Sequence, residues 1–372
     1  IGDTATPAIV REKNSSDWCV SKAMTDDVPD FVRERINDVL LNQDADKSDG
    51  YEKIPEKYLN FYKTAVKFAC KKDGRKLLPV DDAILYCYLP AKRADWGFKF
   101  LMNTDMVPNG ARDDIEDIEL NHEIAKIAGR QFFYWLKSLI ESKNYELDSI
   151  FSLIPDFGEC KKHKQYAKFI EEFQNEFESL IKVKPFVPVV DKDGQESYAC
   201  IDKIIDDRTG ITENNVMSDA DFISLIGLDD YYLPVQELRS SKVFMDFLYK
   251  YCTSEMDIDF DDIKKICSNE EFQNWLKNTT NNSKFITHLI EKDEIELFSS
   301  EAIFIEYEND LYKAEDLYYD FDKNGLSILF LKEYIPNLCE HTRSHFEGNE
   351  EWDSFVDKYF MKFDAQTIVD EY

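Results

Sequence analysis

The first half of the chain alternates short apolar stretches with polar turns. One stretch ends at Asp73-Gly74, a strong hairpin turn signal, and a second stretch returns after it. Two more stretches with strand character follow before the pattern changes. We therefore predict four strands, at Thr64–Lys72, Lys76–Val80, Ile84–Leu89 and Phe98–Asn103.

Helical spacing of apolar residues begins at Val28–Leu41 and is clearest in two longer stretches. In the first, Asp114–Ile140, isoleucines recur at helical intervals, and Asp113 with Glu116 resembles a capping box at its start. In the second, His163–Ile181, an aromatic stripe is typical of a helix face buried in a core. Strands followed by such helices predict an α+β layer architecture.

A change of character at Lys184 predicts a domain boundary. The following segment is extended and punctuated by prolines, and Asp193-Gly194 marks another hairpin. Beyond it, short strands alternate with short helices. We expect an α+β domain, a mixed sheet layered with helices, at residues 1–183. A second, mixed α/β domain, whose role the pattern does not indicate, is expected at residues 184–372.

Charge and cysteine content restrict the class of protein. The formal charge of −30 comes from 75 acidic and 45 basic residues. Because an acidic surface repels phosphate backbones and anionic lipids, direct binding to nucleic acid or to a membrane is disfavoured. No apolar run of about eighteen residues occurs, so we predict no membrane span. The eight cysteines are scattered without a close pair, which is typical of reduced thiols, and we expect a cytoplasmic protein.

Short motifs in an unusual order occupy the segment from Ile84 to Gln131. The chain reads Ile84-Leu-Tyr-Cys-Tyr-Leu-Pro90, then Trp96-Gly-Phe-Lys-Phe-Leu-Met-Asn-Thr-Asp105, then Asn109-Gly-Ala-Arg-Asp-Asp114, then Glu119-Leu-Asn121. This order resembles the sacsin-like and heat-shock-chaperone-like members of the GHKL ATPase superfamily, in the region that follows their nucleotide-binding domain. Where those proteins have an aromatic residue, Ser, Glu and Trp, this chain has Met106, Ala111, Asp113 and Leu120.

The resemblance implies a middle domain whose catalytic loop contains Asn109 and Arg112. In the family, the loop arginine reaches the nucleotide held by the preceding domain. By this resemblance Arg112 would contact the γ-phosphate and stabilise the charge that develops there, since a guanidinium offers a planar fork to phosphate oxygens. The residue types alone leave a second interpretation open, in which Arg112 pairs with Asp113, Asp114 or Glu116.

The nucleotide site of that superfamily is missing from this sequence. It needs a helix with Glu and Asn, an Asp-x-Gly-x-Gly turn and a glycine-rich lid, and these do not occur here in order. Glu34–Asp46 imitates the helix only superficially, because no such turn follows it. The resemblance therefore implies ATP and Mg²⁺ in an upstream domain of a longer protein, with no cofactor in this chain. That domain is the expected partner, beside an unidentified protein partner or client.

Three clusters have residue types that can bind metals, although a turn, surface positions and a helix start explain them better. Asp320–Gly325 matches the first half of an EF-hand loop, but Leu331 stands where the bidentate glutamate belongs. Five residues from two distant parts of the chain could together bind zinc: Cys160, His163, Cys339, His341 and His345. No C-x-x-C pair, which is typical of structural zinc sites, occurs among them. The third cluster suits a helix start, where carboxylates complement the dipole: Asp257, Asp259, Asp261 and Asp262.

Three functional hypotheses follow from these patterns. The first is a non-nucleotide-binding part of a GHKL-type ATPase that supplies a γ-phosphate-sensing arginine and partner-binding surfaces for ATP-driven conformational change. This chain would then be inactive alone, while the full-length protein would be an ATPase. The alternatives are an interaction scaffold without ATPase coupling and a metal-dependent hydrolase.

Overall fold

A computed structural model describes residues 17–42, 54–190, 195–252, 257–306, 310–320, 338–339 and 349–363. The contacts among them divide the chain into two compact units. Unit 1 comprises the described residues within Ile1–Pro188, Tyr198–Asp202 and Val235–Thr253, and unit 2 those within Val189–Ser197, Lys203–Pro234 and Ser254–Tyr372. The chain therefore passes between the units several times, whereas the sequence pattern predicts one boundary near residue 184.

The longest strand, β3, and the two longest helices, α2 and α5, lie in unit 1. The strands are β1 (Trp18–Val20), β2 (Met24–Asp27), β3 (Lys63–Asp73), β4 (Lys76–Leu78), β5 (Leu85–Cys87), β6 (Leu89–Ala91), β7 (Leu101–Asn103), β8 (Val187–Val190), β9 (Glu196–Ala199), β10 (Asp206–Asp207), β11 (Asp257–Ile258), β12 (Phe304–Ile305), β13 (Leu311–Tyr312), β14 (Tyr318–Asp320) and β15 (Met361–Phe363). The α-helices are α1 (Asp30–Leu41), α2 (Glu119–Ser142), α3 (Leu147–Phe151), α4 (Phe157–Cys160), α5 (Ala167–Val183), α6 (Asp219–Leu225), α7 (Gln236–Arg239), α8 (Lys242–Tyr251), α9 (Phe260–Ile266), α10 (Glu270–Leu276), α11 (Thr279–Glu291) and α12 (Glu350–Tyr359).

A mixed sheet, formed among the described residues by β1 to β7, is the base of unit 1. Its long strand β3 pairs antiparallel with β1 and β2 along one edge, and with β7 and β4 along the other. β5 lies parallel to β7 and antiparallel to β6. The predicted α+β class, with a mixed sheet and helices, is confirmed at this level.

Aromatic side chains fill the space between the sheet and the helices α2 and α5. Phe68 of β3 stacks on Trp135, with ring centroids 5.2 Å apart, and meets Phe132 edge-on at 5.6 Å. The two helices approach closely at Gly129, where a Cβ atom would lie 2.1 Å from the carbonyl oxygen of Phe173. Of the stripe predicted to be core, Leu180 is half-buried and the other six residues are buried: Tyr166, Phe169, Ile170, Phe173, Phe177 and Ile181.

The start of α2 corrects one sequence prediction. The helix begins at Glu119, after the residue Ile118, which makes no side-chain capping bond, so the predicted start at Asp114 with a cap at Asp113 is wrong. Ile115 forms an isolated antiparallel bridge with Pro108. This bridge holds the residues before α2 in extended conformation, which is incompatible with a helix there.

The strand predicted at Ile84–Leu89 is broken at Tyr88. The backbone of Tyr88 is left-handed, with φ of 66°, and the chain reverses there to pair β5 with β6. The following strand is also shorter than predicted, because Phe98 and Phe100 lie before β7 and bury their rings in the core.

Unit 2 has its own apolar core. Trp352 of α12 is fully buried, and its indole nitrogen donates to the Tyr319 hydroxyl at 3.1 Å. β12 and β13 pair antiparallel. Asp259 caps α9 in a capping box with Asp262, so the acidic cluster serves the helix start as its position predicted.

Candidate functional site

The loop between β7 and α2 borders a cavity of about 810 Å³ in unit 1. The cavity wall combines aromatic and aliphatic groups with two cations, one amide and one carboxylate. Its lining residues are Pro55, Lys57, Cys87, Tyr88, Leu89, Ala91, Pro108, Asn109, Gly110, Arg112 and Glu116. The two predicted site residues, Asn109 and Arg112, therefore lie at the same cavity.

Asn109 holds the tip of the loop together. Its side-chain oxygen accepts from the amides of Asp113 (3.1 Å) and Asp114 (3.3 Å), and its Nδ2 donates to the Asp113 carboxylate (2.9 Å). Its backbone carbonyl accepts from the Arg112 amide at 2.9 Å. The side-chain amide of Asn109 is thus hydrogen-bonded within the loop. Asn109 therefore positions the backbone of Arg112.

Asn121 of α2 clamps both ends of the loop. Its side chain is fully buried, accepts from the Val107 amide (2.7 Å), and donates to the carbonyls of Val107 (2.9 Å) and Glu116 (2.8 Å). Three hydrogen bonds from one buried amide fix the loop against the helix, because each of these backbone groups needs a partner.

Asp105 ties the start of the loop to the sheet. Its Oδ2 accepts from the Ala65 amide (2.8 Å) and the Thr64 hydroxyl (3.3 Å). The Tyr58 hydroxyl donates to its backbone carbonyl at 2.9 Å, and burial followed by the charge of Asp105 raises the pKa of that hydroxyl. The loop that carries Arg112 is therefore anchored to the central strand as well as to α2.

Arg112 has an exposed guanidinium. Asp113 pairs with Arg93, with Nε and Oδ2 3.0 Å apart, and Asp114 accepts from the Tyr166 hydroxyl at 2.7 Å. Within the described part of the chain, the exposed guanidinium of Arg112 makes no hydrogen bond or ion pair. The neighbouring aspartates are occupied by other groups, which weakens the interpretation of Arg112 as a helix-start ion pair.

The cavity lining also contains a second cation, which is held against aromatic rings. The Lys57 ammonium lies 4.6 Å from the ring centroid of Tyr88 and 4.8 Å from that of Tyr58. Tyr88 is about half exposed, and burial, followed by the charge of Asp105 and a hydrogen bond to it, raises the pKa of its hydroxyl. Contacts of this kind keep an ammonium in place while leaving its charge available.

Backbone strain is concentrated at this cavity. Among the described residues, seven non-glycine positions have left-handed backbone, and four of them are Asn or Asp, which tolerate it. Lys143 is the C-cap of α2. The remaining two, Tyr88 and Arg112 (φ of 58°), both line the cavity. Bulky residues held in this conformation cost about 1–3 kcal/mol each and cluster at functional sites.

The charge balance of the cavity favours an anion. Among the described residues that line it, Lys57 and Arg112 are the cations and Glu116 is the carboxylate, in a chain whose formal charge is −30. An ammonium and a guanidinium at one cavity can both bind phosphate oxygens. The arrangement is therefore suited to recognising a phosphate group presented to it.

The other candidate ligands are not assembled by the described residues. A Cβ atom at Gly97 would lie 3.4 Å from both Cys160 Sγ and His163 Nε2, so these two are neighbours, but Cys339 belongs to unit 2. His341, His345 and nearly all of the EF-hand-like segment lie outside the described residues. Among the residues that are described, no group of three or more ligand side chains could hold a metal ion.

Sequence reasoning missed one polar cluster. His122 stacks on Phe169 with ring centroids 4.1 Å apart, and its ring nitrogens face Glu172 (2.6 Å) and Asp117 (2.7 Å). The cluster borders a second cavity of about 430 Å³. No sequence spacing could reveal it, because Glu172 comes from α5 and the other polar residues from the start of α2.

No protein-family model matches the chain, and no curated protein or solved structure matches it. Within the described ranges, no helix is both long enough and apolar enough to cross a membrane.

Proposed function

We propose that this chain is the middle-domain-like part of a GHKL-type ATPase and that Arg112 contacts the γ-phosphate of ATP held by an upstream domain. The observation that carries the proposal is the state of Arg112. Its guanidinium is exposed at a cavity, and the carboxylates of Asp113 and Asp114 are engaged elsewhere. A positioned cation with no internal partner among the described residues is suited to an external anion.

The hydrogen bonds that hold the loop support a catalytic role for Arg112 over that of an ordinary surface charge. Asn109, Asn121 and Asp105 fix the loop through hydrogen bonds to its backbone. A group that stabilises transition-state charge is effective when it is already in place, because the protein then loses no free energy in reorganising. An arginine supplied to a transferring phosphoryl group contributes about 10³–10⁵-fold to turnover.

In this proposal the nucleotide and Mg²⁺ belong to the upstream domain. This chain supplies the arginine, the ammonium of Lys57 as a second positive charge, and surfaces for the partner or client. Closing of the two domains on ATP would bring the phosphate to the cavity, and hydrolysis would remove the anion that holds them together. The chain alone would then have no ATPase activity.

ATP turnover of the full-length protein tests the proposal. We expect Arg112→Ala to lower kcat at least about a hundredfold, and Arg112→Lys to restore only part of it because the ammonium lacks the planar fork. Arg112→Gly is a second deletion that also relieves the left-handed strain, so loss of activity in both deletions would point to the guanidinium and not to that strain. Arg75→Ala, an exposed arginine at the β3–β4 turn, is the matched control and should leave kcat unchanged.

An interaction scaffold without ATPase coupling is the second candidate. It is favoured by the exposed aromatic and aliphatic side chains beside the cavity, Tyr88 at 51% and Leu89 at 55% exposure. Equal turnover in wild type, Arg112→Ala and Arg112→Gly would refute the catalytic role and favour the scaffold.

A further inference from the structure

Two cysteines lie directly opposite each other on neighbouring strands of the unit 1 sheet. The antiparallel register of β1 and β3 pairs Cys19 with Cys70, between the flanking pairs of Trp18 with Lys71 and Val20 with Ala69. Directly opposed residues in antiparallel strands have Cα atoms about 4.5–5.5 Å apart. Disulfides span Cα separations of about 4.4–6.8 Å, so the backbone already has the spacing of a disulfide.

The two side chains also lie on the same face of the sheet, because directly opposed residues of antiparallel strands point to one side, with Cβ atoms about 4.5–5.5 Å apart. Both thiols are free and buried, with Cys19 6% exposed and Cys70 fully covered. Forming a bond between the two sulfur atoms therefore requires only a small rearrangement. The scattered positions of the cysteines in the sequence give no sign of this pair.

The surroundings give the two sulfurs different reactivity. The hydrogen bond from Cys70 lowers the pKa of the Cys19 thiol against the effect of burial, and a hydrogen bond with Tyr145 and the charge of Lys72 act in the same direction. The same thiol–thiol hydrogen bond, with burial, raises the pKa of Cys70. Since the thiolate is the nucleophile, Cys19 is suited to attack first and Cys70 to resolve.

The position of Cys19 also gives a route for a reagent. β1 has three residues and lies at the edge of the sheet that the described residues form. Short edge segments open locally at lower free energy than the core of the same unit. Local opening of β1 would therefore expose Cys19 to a small reagent without unfolding of unit 1.

We propose that Cys19 and Cys70 form a reversible redox site that closes to a disulfide by exchange with a low-molecular-weight disulfide such as glutathione disulfide. The Cys19 thiolate attacks one sulfur of the reagent, its S–S bond breaks, and one glutathione thiolate leaves and takes up a proton. Cys70 loses its proton and attacks Cys19 Sγ, and the second glutathione leaves as a thiol. Two cysteines are oxidised by two electrons, and one glutathione disulfide is reduced to two thiols.

Closure of this site would tie the edge strand to the central strand of the sheet. The cross-link encloses a loop of about fifty residues, which restricts the unfolded chain and stabilises the folded one. β3 also carries Ala65 and Thr64, which bind Asp105 at the start of the Arg112 loop. In the oxidised chain, β3, the strand that anchors the candidate site, would thus be more rigid.

Oxidation of the folded chain with glutathione disulfide tests the proposal. Free thiols are then blocked with N-ethylmaleimide, and the digested chain is analysed by mass spectrometry. We expect a peptide pair linked through Cys19 and Cys70, removed by dithiothreitol. Cys70→Ser should instead accumulate a glutathione adduct at Cys19, and Cys19→Ser should leave Cys70 unmodified. Cys87→Ser, a buried cysteine of the same sheet, is the matched control and should retain the linked pair.

Two outcomes would overturn the proposal. One is the absence of the linked pair in the wild-type chain when the half-exposed Cys200 and Cys252 have reacted with the reagent. The other is a linked pair that forms only in urea, since it would then arise from the unfolded chain. Both outcomes are read from wild-type protein, so they hold even if one of the serine variants does not fold.

Discussion

Replacing Asn121 by alanine should release the loop that carries Arg112. The side chain is fully buried and makes three hydrogen bonds, two to Val107 and one to Glu116. Its truncation leaves a buried amide and two carbonyls without these partners. A net hydrogen bond contributes about 1 kcal/mol, and an orphaned buried group costs about 1–3 kcal/mol. We therefore expect the free energy of unfolding of unit 1 to fall by about 3 kcal/mol.

Urea unfolding and amide hydrogen exchange together measure this effect. The exchange of peptides covering residues 105–118 should accelerate more than that of β3, because the clamp acts on the loop. Asn175→Ala, an exposed position on α5, is the matched control and should change stability by less than about 0.5 kcal/mol. A loss below about 1 kcal/mol in Asn121→Ala, with unchanged exchange of the loop, would show that the clamp is not what holds it.

Three further predictions concern packing, protonation and capping. Gly129→Ala should destabilise unit 1 by about 2 kcal/mol or more in urea unfolding, because the new Cβ meets the Phe173 carbonyl oxygen at 2.1 Å, which outweighs about 1 kcal/mol of helix propensity. Burial lowers the pKa of His288, so the unfolded state binds the proton more tightly and unit 2 should lose stability as pH falls below about 6.5. Asp259→Ala removes the α9 cap and should cost unit 2 about 1 kcal/mol.

Each of these predictions has a contrary result. A Gly129→Ala chain as stable as wild type would mean that α2 and α5 can separate without loss. A His288→Gln chain with the same pH dependence as wild type would exclude His288 as its source. Asn349→Ala, which removes the cap of α12, is the comparison for Asp259→Ala. If Asn349→Ala is destabilised and Asp259→Ala is as stable as wild type, the α9 cap contributes nothing to stability.

The elements with a regular pattern were predictable from the sequence. The Asp73-Gly74 turn joins β3 and β4 as the turn signal indicated, and the aromatic stripe of α5 is buried. The start of α2 was not predictable, because Asp113 and Glu116 have the residue types of a cap. The bridge between Pro108 and Ile115, which lie in the same loop, overrides that preference.

The candidate site was predictable only as a loop. Sequence motifs pointed to Asn109 and Arg112, and the structure has both at one cavity. Lys57 comes from a different part of the chain, and no spacing relates it to Arg112. Whether Arg112 pairs with its neighbours also depended on tertiary structure, since the partners of Asp113 and Asp114 are Arg93 and Tyr166.

The sequence by itself determined the periodicities, the α+β class and the loop with its arginine, because these depend on residues close together in the chain. Only the tertiary structure decided which distant groups meet. Cys19 and Cys70 are paired by the register of two strands, and Asn121 reaches the loop because α2 packs behind it. Such contacts depend on strand register and on the packing between elements. Neither register nor packing can be predicted directly from the order of residue types along the chain.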